Sequence, residues 1–180
     1  MNTVAAVGAV IIGLLLAETR VSVTHEQLLR KAGAVRPNGD PYLALALLYP
    51  AAFVAMVGEG LWRASQSGGV EGGPNWFVSG LILFAAGKGL KYWAIASLGV
   101  RWTFKVFVIP GRPLVATGPY RYLAHPNYVG LVGELVGTAM MCGAPVAGVI
   151  GSLAFGAALW RRVRFESAVL RRVREGEPGS

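Results

Sequence analysis

Uninterrupted apolar stretches fix the environment of this chain before any motif is read. Five stand out: about Val4 to Ala17, Tyr42 to Trp62, Trp76 to Leu98, Tyr128 to Cys142 and Pro145 to Trp160. A helix needs about 20 residues to cross a bilayer, within a range of about 17–25. The second and third runs reach that length, and the others are near or below the lower bound. The fourth and fifth, divided by little more than Gly143-Ala144, read as a short, tilted or partly re-entrant hairpin. The first run has no basic segment before it, and Glu18 and Arg20 follow in place of a cleavage site. It therefore reads as a retained helix and not as a signal peptide. Only 14% of residues are charged, against about 25% in a soluble domain. The expected fold class is all-α integral membrane: about five transmembrane helices, with a connector between the third and fourth, in a single domain over residues 1–180.

The net charge of +8 is distributed unevenly. Gly99–Asn127 holds Arg101, Lys105, Arg112 and Arg121 with no acid, and Arg161–Ser180 holds six arginines against three glutamates. Arg63–Asn75 holds one base and one acid. The positive-inside rule then puts the connector and the C-terminus in the cytoplasm and the N-terminus outside. Glu18–Asp40 would lie inside as well, with four bases against three acids, which supports this topology only weakly. The basic excess orients helices, so nucleic acid is not an expected partner, whereas anionic lipid headgroups suit Arg171, Arg172 and Arg174. A disulfide scaffold is excluded because Cys142 is the only cysteine. His25 and His125 are the only histidines, so no metal site is expected. No G-x-G-x-x-G follows a strand pattern, which removes a Rossmann-type cofactor domain. Ser65–Pro74 reads as a glycine-rich outer loop and Glu175–Ser180 as a frayed tail.

The connector carries the most information. Trp102, Phe104, Val106 and Val108 alternate with Lys105 and Phe107, and Pro110-Gly111 is a turn signal. This predicts a short β-hairpin or an extended segment at the membrane surface. Then comes Gly118-Pro119-Tyr120-Arg121-Tyr122-Leu123-Ala124-His125-Pro126-Asn127-Tyr128-Val129-Gly130, and, after the last apolar run, Arg162 and Glu166 four residues apart. On residue type alone, His125 before Pro126 is a helix cap or surface residue. Arg162 and Glu166 are a surface i,i+4 pair, and the tyrosines are an interfacial aromatic belt.

Taken in order, these elements resemble the isoprenylcysteine carboxyl methyltransferase family. Its pattern is G-x-Y-x-x-x-R-H-P-x-Y-x-G, preceded by L-V-x-x, here Leu114-Val115-Ala116-Thr117, and followed by R-x-x-x-E, here Arg162 to Glu166. The resemblance covers about residues 75–170 and implies an integral-membrane methyltransferase that uses S-adenosylmethionine. By position, it implies that Leu114, Val115, Tyr120, His125, Pro126, Asn127, Tyr128 and Glu166 hold the cofactor. Arg112, Pro113 and Lys105 also fall at cofactor-contacting positions. Arg162 would face the methyl acceptor. His125, Arg162 and Glu166 are the catalytic candidates. Ala124 departs from the arginine usual before the His-Pro pair, and Lys105 from a glutamine.

Methyl transfer is an in-line displacement that depends chiefly on alignment. A carboxylate acceptor needs no base, whereas a phenol or enol must lose a proton, a task for His125 or Glu166. The expected acceptor is lipophilic: a prenylcysteine-type carboxylate or a phenolic or pyrone polyketide lipid, the latter linked to the bacterial branch that Lys91–Gly99 resembles. Phospholipid N-methyltransferases carry a similar element, as do sterol-type membrane reductases that bind NADPH, and both stand as alternatives. A non-catalytic lipid-binding scaffold is the bland one. Glu59, Lys88, Lys91 and Glu134 lie within the apolar runs, where an ionisable residue is costly and functional by default. Lys88 and Glu134 are expected to pair. Gly80, Gly87, Gly133, Gly137 and Gly148 are expected to serve close helix packing.

Overall fold

The computed structural model describes residues 2–67, 73–109 and 112–174. Among these, helices form as α1 (Asn2–Lys31), α2 (Tyr42–Ser67), α3 (Gly73–Leu98), α4 (Pro126–Cys142) and α5 (Pro145–Arg174). Short 3-10 turns at Gly99–Arg101 and Gly118–Arg121 punctuate the connector. Helices α1, α2, α3 and α5 are each long and apolar enough to cross a membrane. Helix α4, with 17 residues, stands at the lower limit for spanning. The chain is an all-α integral membrane protein.

Two helices run further than their apolar stretches. Helix α1 passes Ala17 and continues to Lys31, because no glycine or proline intervenes before Gly33, whose φ is +78°. Its extension buries Glu18, Ser22, Glu26 and Leu29, spaced so that they share one face. The expected connector over Glu18–Asp40 is therefore mostly helix. Helix α5 passes Trp160 to Arg174 for the same reason, and Leu159, Arg162 and Val169 form its buried stripe. This extension carries both Arg162 and Glu166.

The connector does not form a hairpin among its described residues. A single antiparallel bridge joins Val35 to Val108, with N···O distances of 2.8 and 2.9 Å. The reason lies in where its backbone donors go. Phe104 N–H donates to Ser22 Oγ at 2.9 Å and Val106 N–H to Asp40 Oδ2 at 3.1 Å. A strand partner is thus replaced by side chains of α1 and of the residue that opens α2. Val106 and Val108 pack with Val169 and Phe165 of α5. The expected turn at Pro110-Gly111, the core of the glycine-rich loop at 68–72 and the tail at 175–180 lie outside the described residues.

Helices α3 and α4 cross at backbone contact. A Cβ added at Gly87 would stand 2.7 Å from the carbonyl oxygen of Gly130, and one at Gly130 would stand 2.7 Å from that of Gly87. Gly80 and Gly137 oppose each other in the same way, Gly133 faces the Gly87 Cα, and Gly148 abuts Ala139. The packing role expected for these glycines is borne out. Gly87→Ala is expected to destabilise the bundle by about 1–3 kcal/mol through overpacking. Gly89→Ala, where a Cβ meets open space, should be neutral or stabilising by up to about 1 kcal/mol. Unfolding temperatures in detergent compare the two, and equal shifts would refute the close-approach argument.

Candidate functional site

Local chain geometry aims the motif residues at α5. Gly118 has φ +59°, and a Cβ there would collide with the Ser97 hydroxyl. Only glycine lets the chain turn against the end of α3 at this point. Pro119 then opens the 3-10 turn that carries Tyr120, and Tyr122 N–H closes it on Pro119 O at 3.1 Å. Pro126 opens α4, where a missing N–H costs nothing. His125 occupies the cap position of α4, yet its side chain makes no capping bond.

The His125 ring reaches across to α5, where Nε2 lies 3.0 Å from Ser167 Oγ. It also stacks on Tyr128, with centroids 5.4 Å apart and planes inclined by 22°. The Tyr128 hydroxyl donates a short hydrogen bond to Glu166 Oε2 and accepts one from Arg162 Nε at 3.1 Å. Glu166 Oε1 is 4.0 Å from His125 Nδ1. Burial, with the Glu166 carboxylate adding to it, raises the Tyr120 phenol well above its usual value. Tyr120 therefore stays a neutral hydroxyl at physiological pH. Asn127 Oδ1 is buried and has no hydrogen-bond partner. His125, Tyr120, Tyr128, Asn127, Glu166 and Arg162, singled out in the sequence, are thus gathered where α4 begins beside α5.

The remaining candidates are placed differently. Lys105 Nζ is paired with Glu26 Oε2 at 2.7 Å and lies over the Tyr42 ring at 5.2 Å. Arg112, Pro113 and Leu114 line a small cavity of about 60 Å³ with Leu29, Arg101 and Leu170. The Pro113 carbonyl accepts from Arg101 Nη1 at 2.6 Å. Val115 is half-buried beside them.

Arg162 is 3% exposed, so it is no surface residue. Its Nη1 donates a short bond to Asp40 Oδ1, Nη2 reaches Phe104 O at 2.9 Å, and Glu166 Oε2 is 3.8 Å from its Nε. Asp40 is a partner that the sequence reading missed. The signal for it was weak: an acid before Pro41 and an apolar run, where its Oδ1 accepts from Tyr42 N–H at 3.1 Å.

A second polar group lies within the membrane-spanning helices. Lys88 Nζ is 2.8 Å from Glu18 Oε1 and 2.5 Å from Glu134 Oε2. Lys91 Nζ is 2.5 Å from Glu18 Oε2 and 3.5 Å from Glu134 Oε1. Tyr49 of α2 donates to Glu134 Oε2 at 2.7 Å. The expected Lys88–Glu134 pair is present, and Glu18 completes it. Glu59 has a different task. It holds Arg63 at 2.8 Å and caps α5 by accepting from Ala147 N–H at 2.6 Å.

Residues 80–172 match the isoprenylcysteine carboxyl methyltransferase (ICMT) family. The chain is 28% identical over 162 residues to the uncharacterised protein YpbQ of Bacillus subtilis (strain 168), covering 90% of this chain and 93% of that one. It is 35% identical over 91 residues to protein-S-isoprenylcysteine O-methyltransferase A of Arabidopsis thaliana, or 48% of this chain and 44% of the plant protein. A probable protein-S-isoprenylcysteine O-methyltransferase of Oryza sativa subsp. indica is 31% identical over 104 residues, covering 53% and 52%. The matched segment spans about half the length of these plant relatives. No solved structure matches.

Proposed function

The chain belongs to the isoprenylcysteine carboxyl methyltransferase family, and from that premise we propose that it is a membrane methyltransferase whose donor is S-adenosylmethionine. Its acceptor is an oxygen of a lipophilic molecule: a prenylcysteine-type carboxylate, as in the names of the plant relatives, or a phenolic or pyrone lipid. The observation that carries the reading is the unspent acceptor Asn127 Oδ1 in the first turn of α4, the turn whose Tyr128 stacks on His125 and bonds to Glu166. A buried oxygen without a donor is costly, and a cofactor N–H would satisfy it.

The residues present fit the group. Glu166 and Asn127 offer hydrogen-bond acceptors to its amino and hydroxyl groups. Tyr120, Tyr128 and His125 offer aromatic faces, which attract a cation. Leu114 and Val115 supply apolar contact, with Arg112 and Pro113 beside them, while Lys105, held by Glu26, stands further along the connector. When bound, S-adenosylmethionine supplies an electrophilic methyl on a sulfonium. The chain's own work is to align the acceptor and keep water out. Arg162 steers a carboxylate or oxyanion, and for a hydroxyl acceptor Glu166 or His125 takes the proton. All of residues 1–180 act as one domain in this reading, because Arg162 and the connector lean on Asp40 and α1. The N-terminus lies outside and the site faces the cytoplasm of a bacterial inner membrane, so a polar cofactor and a bilayer-dissolved acceptor arrive from different phases.

Thermal shift in detergent tests the reading. S-adenosylhomocysteine at about 100 times its dissociation constant should stabilise the protein by about 2.7 kcal/mol, and NADPH should not. Labelled methyl should pass from S-adenosylmethionine to S-farnesylcysteine or to a bacterial lipid extract. Label on phospholipid nitrogen would favour the N-methyltransferase alternative, and stabilisation by NADPH alone would favour the reductase.

A further inference from the structure

Arg162 and Glu166 sit four residues apart on α5, the spacing at which opposite charges meet on a helix. They do not meet. The Arg162 Nε is 3.8 Å from Glu166 Oε2 and donates to the Tyr128 hydroxyl instead. The guanidinium is bonded directly to Asp40, whose side chain is 1% exposed. Asp40 Oδ1 accepts from Arg162 Nη1, and the neighbouring Nη2 is fixed by the Phe104 carbonyl at 2.9 Å.

We propose that Asp40 is a positioning residue: it draws Arg162 off its helical neighbour and leaves Glu166 available to a ligand. This rests on the reading of Glu166 as a cofactor-holding residue. Asp40 is itself anchored on three sides. Tyr42 N–H donates to Oδ1 at 3.1 Å, Val106 N–H donates to Oδ2 at 3.1 Å, and Arg36 Nε lies 3.7 Å from Oδ2. The first bond ties the carboxylate to the start of α2 and the second to the connector. Asp40 thus presents a fixed negative charge to the buried guanidinium. A planar guanidinium held by an acid, a carbonyl and a phenol oxygen has little freedom to rotate toward Glu166. Asp40 lies outside the segment matched to the family, residues 80–172. The proposal therefore gives the N-terminal part of this chain a task at the site.

The charges around Arg162 give the expected response. Once Asp40 is neutral, Glu166 is the nearest remaining carboxylate to the guanidinium, on the same helix face. Arg162 should then close on it and compete with a ligand for the carboxylate.

The test is a set of variants of the full chain in detergent. Binding of S-adenosylhomocysteine should weaken about tenfold or more in Asp40→Asn, the scale of one hydrogen bond to a charged group. Asp40→Glu should restore most of it. The discriminating variant is Asp40→Asn/Arg162→Gln. With the guanidinium gone nothing captures Glu166, so the double variant should bind S-adenosylhomocysteine more tightly than Asp40→Asn alone. A merely structural role for Asp40 would make the double variant weaker, and that result overturns the proposal, as does unchanged affinity in Asp40→Asn. A second measurement needs no cofactor. Stability coupling between Arg162→Gln and Glu166→Gln, read from unfolding temperatures, should be larger in the Asp40→Asn background than with Asp40 in place. Unchanged coupling refutes the positioning role. If the wild-type chain binds no S-adenosylhomocysteine, the proposed function fails, and this coupling still decides the role of Asp40.

Discussion

Glu134→Leu is expected to destabilise the helix bundle by about 3–5 kcal/mol, the cost of leaving a buried ion without its partner. Glu18 and Glu134 each face both Lys88 and Lys91, at 2.5 to 3.5 Å. The four charges sum to zero, and three helices contribute them. Leucine is somewhat larger than glutamate, so some overpacking adds to the electrostatic cost. What changes is the balance: two ammonium groups then share Glu18 alone, and the hydroxyl of Tyr49 loses its acceptor. A lone charge at the centre of a membrane helix costs about 2.5–3.5 kcal/mol on insertion scales, which supports the same magnitude. The paired variant Glu18→Leu/Lys91→Met supplies the contrast. It leaves Lys88 against Glu134 at 2.5 Å and restores neutrality, so it should be more stable than either of its single variants. Equilibrium unfolding in sodium dodecyl sulfate micelles measures all of these. A cost below about 1 kcal/mol for Glu134→Leu, as at solvated ion pairs, would mean that water screens the cluster and would refute its role in holding α1, α3 and α4.

This cluster shows which parts of the structure were legible in the sequence. Lys88 and Glu134 stand in apolar runs, where a charge has to find an opposite charge, so their pairing followed from position alone. Glu18 escaped because the first run was expected to end at Ala17, which made it a flanking charge. The spacing Glu18, Ser22, Glu26 was the available signal: a polar stripe at helical period with no breaker before Gly33. Asp40 escaped for a different reason. Its partner Arg162 lies 122 residues away, and no local pattern records such a contact. The connector misled in a third way. Its alternation of Trp102, Phe104, Val106 and Val108 suits a strand, and these residues are indeed buried or half-buried. Its backbone donors, however, pair with Ser22 and Asp40 in place of a second strand. The cluster of His125, Tyr128 and Glu166 was legible only through the family resemblance. Residue type alone made His125 a cap, and the ring in fact leaves the cap position and reaches Ser167.

Glu166→Ala is expected to lower methyl transfer about 100-fold, with most of the loss in affinity for S-adenosylmethionine. The carboxylate is a quarter exposed, so a polar ligand reaches it, and it is already oriented by the Tyr128 hydroxyl. Losing hydrogen bonds to a charged group costs about 1.5–3 kcal/mol, or about 10- to 150-fold. Removing this carboxylate also leaves the Tyr128 hydroxyl without its acceptor, which puts the effect near the upper end. Tyr128→Phe should cost less, about tenfold, because Glu166 survives and loses only the group that orients it. The pair therefore separates holding from orienting. Glu166→Ala should raise the dissociation constant for S-adenosylhomocysteine strongly, and Tyr128→Phe weakly. Tyr120 provides a further check through pH. Its phenol is raised by burial and by Glu166, so the protonated form persists past the ordinary value of about 10. Wild-type affinity should consequently show no loss from Tyr120 ionisation anywhere below that pH. Isothermal titration of S-adenosylhomocysteine from pH 6 to 9.5 measures this. Unaltered affinity in Glu166→Ala would remove Glu166 from the cofactor site and leave its bond to Tyr128 as a purely structural tie between α4 and α5.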